Sequence, residues 1–433
     1  MKKRTILISV IAALHSILYA QSFERELTPE EKAYVLSKFC TEVKYNFVHY
    51  NKLKINWDSL CKARMQELTS TGTTEEFENG MRKLAAELHD GHTYFSGGNI
   101  GNPQDWIKPF PFETKRLGDK VFVTNVYSSE LQKKGIVKGV ELIKIDGEDI
   151  FEKAERDSRP YVAASTKQWE DYYTYGGFNL TKDKGSKVSK LTFRTPEGKT
   201  FEYEGNRCIS WDIQYQQPTV FEYKVIKKNI GYLKIRNFQP RQFKTEEFDS
   251  IYAKILNTKA LIIDIRDNGG GNSGNADYII RHLSDKPVKR GKWNSPMYIA
   301  THASWKMPPE SYYKESEDLI PVQDKQIYTK PTVLLVNAGT FSSAENFSAA
   351  YRNMGTGTII GTPTGGSTGN PISIDLGFGM YCNICTRNET LADGTEFIGV
   401  GIIPDIHVEE TEEMYTKGKD TVIEKALEVI AGK

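Results

Sequence analysis

Two short apolar runs, Ala260 to Arg266 and Pro331 to Asn337, have the length and the β-branched content of buried strands, and each ends abruptly in a turn. The first runs into Asp267-Asn268-Gly269-Gly270-Gly271-Asn272-Ser273-Gly274, and the second into Ala338-Gly339-Thr340-Phe341. A helix-like segment follows both turns. After the second turn Ser342 opens the helix, and Phe347, Ala350, Tyr351 and Met354 recur at i, i+3, i+4 and i+7, which predicts one core-facing side. Further strand-like runs at Ile230 to Ile235, Gly357 to Gly361 and Ile402 to Ile406, with a helix over Thr245 to Leu256, extend the same alternation. From about Lys224 to the end the pattern is α/β.

The remainder divides by periodicity. From Leu27 to about His89 the spacing is helical: Pro29 after Thr28 makes a helix start, and Phe77, Met81, Leu84, Ala85 and Leu88 form one apolar stripe. That segment ends in Leu88-His89-Asp90-Gly91-His92-Thr93. Between about Pro111 and Tyr203 the chain changes to short strands, among them Val121 to Val126 and Leu142 to Ile150.

A serine at a strand-to-helix turn is exposed, close to free backbone N–H groups and near the positive end of the helix dipole, where an acyl-transfer nucleophile belongs. The plainer reading of Ser342 is a helix cap, with Glu345 three residues on completing a capping box. Gly269, Gly271 and Gly274 also satisfy G-x-G-x-x-G, but the acidic second strand that a dinucleotide site requires is replaced by Ser284 to Arg290.

Thr340-Phe341-Ser342-Ser343-Ala344-Glu345 resembles the T-A-S-A-S-E motif of the carboxyl-terminal processing, or tail-specific, serine peptidases, and Asp264 to Gly271 resembles their D-L-R-x-N-G-G-G turn. The resemblance implies a multidomain α/β protein with a crotonase-like (ClpP/crotonase) catalytic domain over 206–433. A PDZ-like β-rich domain is implied over 111–205, where Gly135 to Ile150 is similar to the G-I-x-x-G-D pattern with Val140-Glu141 in place of G-D, and a small helical N-terminal domain over 21–110. Ser342 is then the nucleophile, and the oxyanion hole is drawn from Gly270 and Ser343. The Ser-Lys dyad of the bacterial and chloroplast branch is excluded: Ser367 stands where its Lys belongs, and no Lys lies between Lys330 and Lys417. The tricorn-like branch uses a histidine instead, and Leu88 to Thr93 resembles its histidine motif, which assigns His92 as general base with His89 as competitor. Asp90, Ser367 and Glu396 are the candidates for orienting His92.

With 57 basic and 56 acidic residues the charge balance points to no nucleic-acid partner, and none is expected. A basic start, an apolar run from Ile6 to Tyr19 and Ala20-Gln21 read as a signal peptide over 1–20, so the expectation is an exported, periplasmic or secreted protein without an integral span after cleavage. Cys40, Cys61, Cys208, Cys382 and Cys385 allow at most two disulfides. Cys382-Asn383-Ile384-Cys385 reads as a local disulfide or two thiols, not a metal site, because no second CxxC or HxxxH accompanies it. No metal or other cofactor is expected. The expected partner is a polypeptide substrate, and the expected activity is serine endopeptidase. A non-catalytic peptide binder on the same fold and an esterase are the alternatives, and the sequence leaves oligomeric state open.

Overall fold

The computed structural model describes residues 25–97, 107–184, 188–207, 219–314, 319–323 and 326–432. The signal-like stretch 1–20 and Cys208 lie outside them. Thr28 caps the first helix, α1 (Pro29–Asn46), through a capping box in which Glu31 N–H donates to Thr28 Oγ1 and Glu31 Oε2 accepts from Thr28 N–H. Helices α2 (Trp57–Thr69) and α3 (Thr74–Ala86) follow, and a disulfide joins Cys40 of α1 to Cys61 of α2.

After His92 the chain forms a short strand, β1 (Tyr94–Ser96). An antiparallel sheet comes next, in the order β2 (Phe112–Leu117), β3 (Lys120–Val126), β4 (Glu141–Ile145), β5 (Val188–Arg194) and β6 (Thr200–Asn206). Its core includes Phe112, Val121, Leu142, Leu191 and Phe193. The stretch Gly135 to Val140 is turn, because Gly135 and Gly139 both adopt positive φ. Helix α4 (Lys167–Tyr175) lies between β4 and β5 in sequence.

The C-terminal half is built on a six-stranded sheet in the order β7 (Phe221–Ile226), β8 (Ile230–Ile235), β9 (Ala260–Asp264), β10 (Thr332–Val336), β11 (Thr358–Gly361), with Ile406–His407 at the far edge. The β7–β8 pair is antiparallel, and every other pair is parallel. Parallel strands are covered on both faces, and the alternation along them shows how. Leu261, Ile263, Leu334 and Val336 face a core shared with α5 (Thr245–Ile255), α6 (Ser273–Ile280) and α7 (Ser343–Met354). Ala260, Ile262, Val333 and Leu335 face Val422 and Ala426 of α8 (Thr421–Ala431). The expected strand over Ile402 to Ile406 is reduced to its last residue, because Pro404 has no N–H to give a ladder.

Between β11 and Ile406 the chain makes a hairpin, β12 (Ile372–Gly377) and β13 (Met380–Ile384), and β1 pairs antiparallel with β13, Phe95 opposite Cys382. Leu376, Met380, Cys382, Ile384 and Cys385 share one core with α1 to α3. This hairpin therefore carries the N-terminal helices and the His92 segment onto the sheet. No helix among the described residues is long and apolar enough to cross a membrane.

Candidate active site

The turns after β9 and β10 interlock. Phe341 N–H donates to Asn268 O at 3.0 Å, Ser343 Oγ donates to Gly271 O at 2.8 Å, and Thr340 Oγ1 donates to Ile265 O at 3.0 Å. Beneath them Arg266 grips Asp264 and Asp420 with paired hydrogen bonds, and Tyr232 donates to Asp264 Oδ2 at 2.7 Å. Burial works to raise Asp264, but the adjacent guanidinium overrides it and holds the carboxylate below its ordinary range. Ser342 sits at φ 58° and ψ −125°, a conformation uncommon for a residue with a side chain. Outliers of this kind concentrate at functional sites.

His92 bridges two serines. Its Nε2 lies 3.0 Å from Ser342 Oγ and its Nδ1 lies 2.8 Å from Ser367 Oγ. The ring is 6% exposed and stacks on Phe341, with centroids 4.7 Å apart and planes 11° apart. Burial pushes its pKa down to about 4, so the ring is neutral at pH 7. A neutral ring whose Nδ1–H donates to Ser367 leaves Nε2 as acceptor for the Ser342 hydroxyl. The loop carrying Ser367 is held by Glu345, which accepts from Thr364 Oγ1, Gly366 N, Ser367 N and Ser342 N at 2.6, 2.7, 2.9 and 3.3 Å. Burial lifts Glu345 to about 7, against the pull of these donors.

Residues 229–408 match the family model described as peptidase family S41. Over that segment the chain is similar to peptidase family S41. Over 202 residues the chain is 26% identical to a carboxy-terminal-processing protease of Bartonella bacilliformis, covering 46% of this chain and 43% of that protein. Over 183 residues it is 28% identical to the carboxy-terminal processing protease CtpA of Bacillus subtilis, covering 42% of this chain and 35% of that protein. The chain thus matches less than half the length of either relative. The structure of mature CPAF complexed with lactacystin superposes at a TM-score of 0.72 and 15% identity, over 93% of this chain and 98% of that one, so the two share a fold.

Around the S41 segment the other sequence-derived residues separate. His89 is exposed, at a left-handed φ of 48°, and it is the ring of His92 that meets Ser342. Asp90 does not reach that ring: its Oδ1 accepts the His92 backbone N–H at 3.0 Å. Glu396 does not belong to the site. Its side chain is 59% exposed and pairs with Lys52 at 2.9 Å, solvated and well placed for that partner only. Ser343, at the first turn of α7, has an N–H facing no carbonyl within its helix. Gly270 packs against it, since a Cβ there would lie 2.8 Å from Ser343 N, but the Gly270 N–H donates to Asn268 Oδ1 at 2.9 Å.

Four side chains contribute in ways the motifs do not announce. Phe341 carries the His92 ring, Trp169 of α4 stacks on Phe341 at 4.0 Å, and Thr166 and Gln168 hold the Thr364–Gly365 backbone through bonds of 2.7 and 3.0 Å. Gly91 makes room ahead of His92, since a Cβ there would meet the Phe341 ring at 2.8 Å.

Proposed function

We propose that the protein is a serine endopeptidase in which Ser342 is the nucleophile, His92 the general base and Ser367 the residue that orients it. The observation that carries this reading is His92 held between two serine hydroxyls, at 3.0 Å from Ser342 and 2.8 Å from Ser367. As Ser342 Oγ attacks a peptide carbonyl, its proton passes to His92 Nε2, and the imidazolium then protonates the departing amine. Water, activated by the same ring, hydrolyses the acyl-enzyme. The Ser343 N–H is the ready donor for the oxyanion. Gly270 N–H joins it once released from Asn268 Oδ1, which sets a small rearrangement before or during attack.

The catalytic unit, 206–433, is read as crotonase-like, and 111–205 as a PDZ-like unit that presents a peptide beside its sheet. By resemblance to the carboxy-terminal processing proteases, the substrates are polypeptide C-terminal regions of exported proteins. The Cys40–Cys61 disulfide supports an oxidising compartment outside the cytosol.

The test is turnover of a peptide library, with matched ester substrates alongside, by the wild type and by Ser342→Ala. Peptide cleavage that vanishes in the variant is expected. Equal cleavage by both proteins sinks the assignment, and turnover of esters only would make the protein an esterase.

A further inference from the structure

Three potential metal donors from distant parts of the chain meet beside the His92 backbone. His49 follows α1, Asp90 precedes His92 by two residues, and Cys385 directly follows β13. A ring nitrogen of His49, a carboxylate oxygen of Asp90 and the Cys385 sulfur all lie within 4.8 Å of one another. Two of the side chains carry orphaned atoms: His49 Nε2 and Asp90 Oδ2 are both buried without a hydrogen-bond partner, and Asp90 is only 1% exposed. Buried polar atoms are almost always satisfied, and a pair of orphans at one point calls for an occupant. The Cys385 sulfur lies 3.5 and 3.6 Å from the carbonyls of Thr368 and Arg387 and also interacts with the Asp90 carboxylate, so the donors already face one another.

We propose that His49, Asp90 and Cys385 bind one divalent transition-metal cation of the zinc class. Imidazole and thiolate select such ions over magnesium or calcium. Charge favours it as well: a carboxylate and a thiolate balance a divalent ion while the imidazole stays neutral, so no net charge is buried. On binding, the Cys385 S–H bond breaks, its proton leaves to solvent and the sulfur–metal bond forms. Tetrahedral zinc with bonds of about 2.0 to 2.3 Å needs its donors about 3.3 to 3.8 Å apart, so the cluster has to contract by no more than about 1 to 1.5 Å. The backbone is already drawn together for it, with Val48 N–H donating to Cys385 O and Cys385 N–H donating to Thr93 Oγ1, each at 3.0 Å. Gly369 lets the pieces close, since a Cβ there would lie 2.3 Å from Cys385 Sγ and 3.4 Å from His92 Cβ. The ion would pin the Asp90-Gly91-His92 turn to the β12–β13 hairpin.

The experiment uses the full chain, stripped with chelator and titrated with Zn²⁺ against a chromophoric chelator, and separately with Co²⁺ while thiolate-to-cobalt absorption is followed. One equivalent of metal and a cobalt–thiolate band are expected for the wild type and for Cys382→Ser, whose thiol lies on the same hairpin outside the cluster. Cys385→Ser should lose the band, and His49→Gln should bind at least ~10- to 100-fold more weakly, the range that loss of a supporting contact alone produces. Circular dichroism checks each variant for folding, and if Cys385→Ser fails to fold, the His49→Gln titration and the wild-type band decide. Absence of stoichiometric binding by the wild type overturns the proposal and leaves the space to water. Binding that survives His49→Gln unchanged, or a band that persists in Cys385→Ser, overturns it equally.

Discussion

The indole of Trp169 lies flat on the ring of Phe341, with centroids 4.0 Å apart and planes 16° apart. Phe341 in turn stacks on His92, so a ladder of three rings runs from α4 to the proposed base. Stacked aromatic pairs contribute about 0.5 to 1.5 kcal/mol beyond the area they bury. Trp169→Ala is therefore expected to lower kcat by about two- to tenfold, with a smaller change in KM for short substrates. Removing the whole of 113–203 would take this support away along with any peptide-binding groove. Point substitutions are the cleaner probe, with kcat and KM compared for short and long peptides.

His92→Ala should cut kcat by about 10⁴-fold or more, as removing the base of a serine hydrolase does. The sequence alone suggests little effect on folding, but a buried, stacked ring leaves a cavity. A stability loss of about 1 to 3 kcal/mol is expected in denaturant titrations. Near-normal turnover by a folded His92→Ala protein would falsify the assignment.

Ser367→Ala removes the acceptor of the Nδ1 proton while leaving Ser342 and His92 in place. A single hydrogen bond of this kind is worth about 0.5 to 1.5 kcal/mol, or up to the desolvation cost of about 1 to 3 kcal/mol when its partner is stranded. The expected result is a kcat about 10- to 100-fold lower with KM nearly unchanged. Ser367→Thr, which keeps the hydroxyl, should recover more of the rate than Ser367→Ala. No difference between the two substitutions would argue against an orienting role.

An exposed histidine would give a rate profile rising through pH 6 to 7. Burial moves His92 down to about 4, so the acid limb of kcat/KM is expected near pH 4 and activity should be level through pH 6 to 7. The linkage has a fixed sign. The folded pKa lies below the unfolded value of 6.5, so the His92 contribution to stability is present above pH 6.5 and is lost as pH falls towards 4. Initial rates and melting temperatures measured across the same buffers separate the two effects. A limb at pH 6.5 in a fully folded protein would mean that the ring is solvated when it works.

Gly270 adopts a φ of +89°, and a Cβ at that position would lie 2.7 Å from both Ser342 Cβ and Phe341 O. Gly270→Ala meets strain and collision together. It is expected to cost about 1 to 3 kcal/mol of stability and, by pushing into the space beside Ser343 N, to reduce kcat by about 10²- to 10³-fold. Kinetics on the folded fraction provide the check.

The central sheet was readable because its strands are buried on both faces and bounded by glycine turns, and Ser342 was readable because it sits at such a turn. His92 came from a motif. The residue proposed to orient it did not: Asp90, Ser367 and Glu396 were all candidates in sequence, and only the fold brings Ser367 to Nδ1 while Asp90 meets the His92 backbone and Glu396 meets Lys52. Glu345 looked like a cap residue and proves to be the floor of the Ser367 loop, since a four-donor cradle is assembled from residues 342 to 367 that no local spacing announces. Trp169 carried no signal at all. Its partner is set by how α4 meets the sheet, and tertiary stacking has no sequence period.

The pairing of β1 with β13 has a consequence in time. His92 and Ser342 are separated by 250 positions, and the strand that brings the histidine home pairs with a hairpin lying beyond the serine. Contacts of such long sequence separation form only after their loops have closed. Until the hairpin has been synthesised and has captured β1, Ser342 is an ordinary alcohol with no base in reach. Under the peptidase reading, the chain cannot cut itself or its neighbours while it is being made or moved, and completion of the fold is itself the switch that arms it.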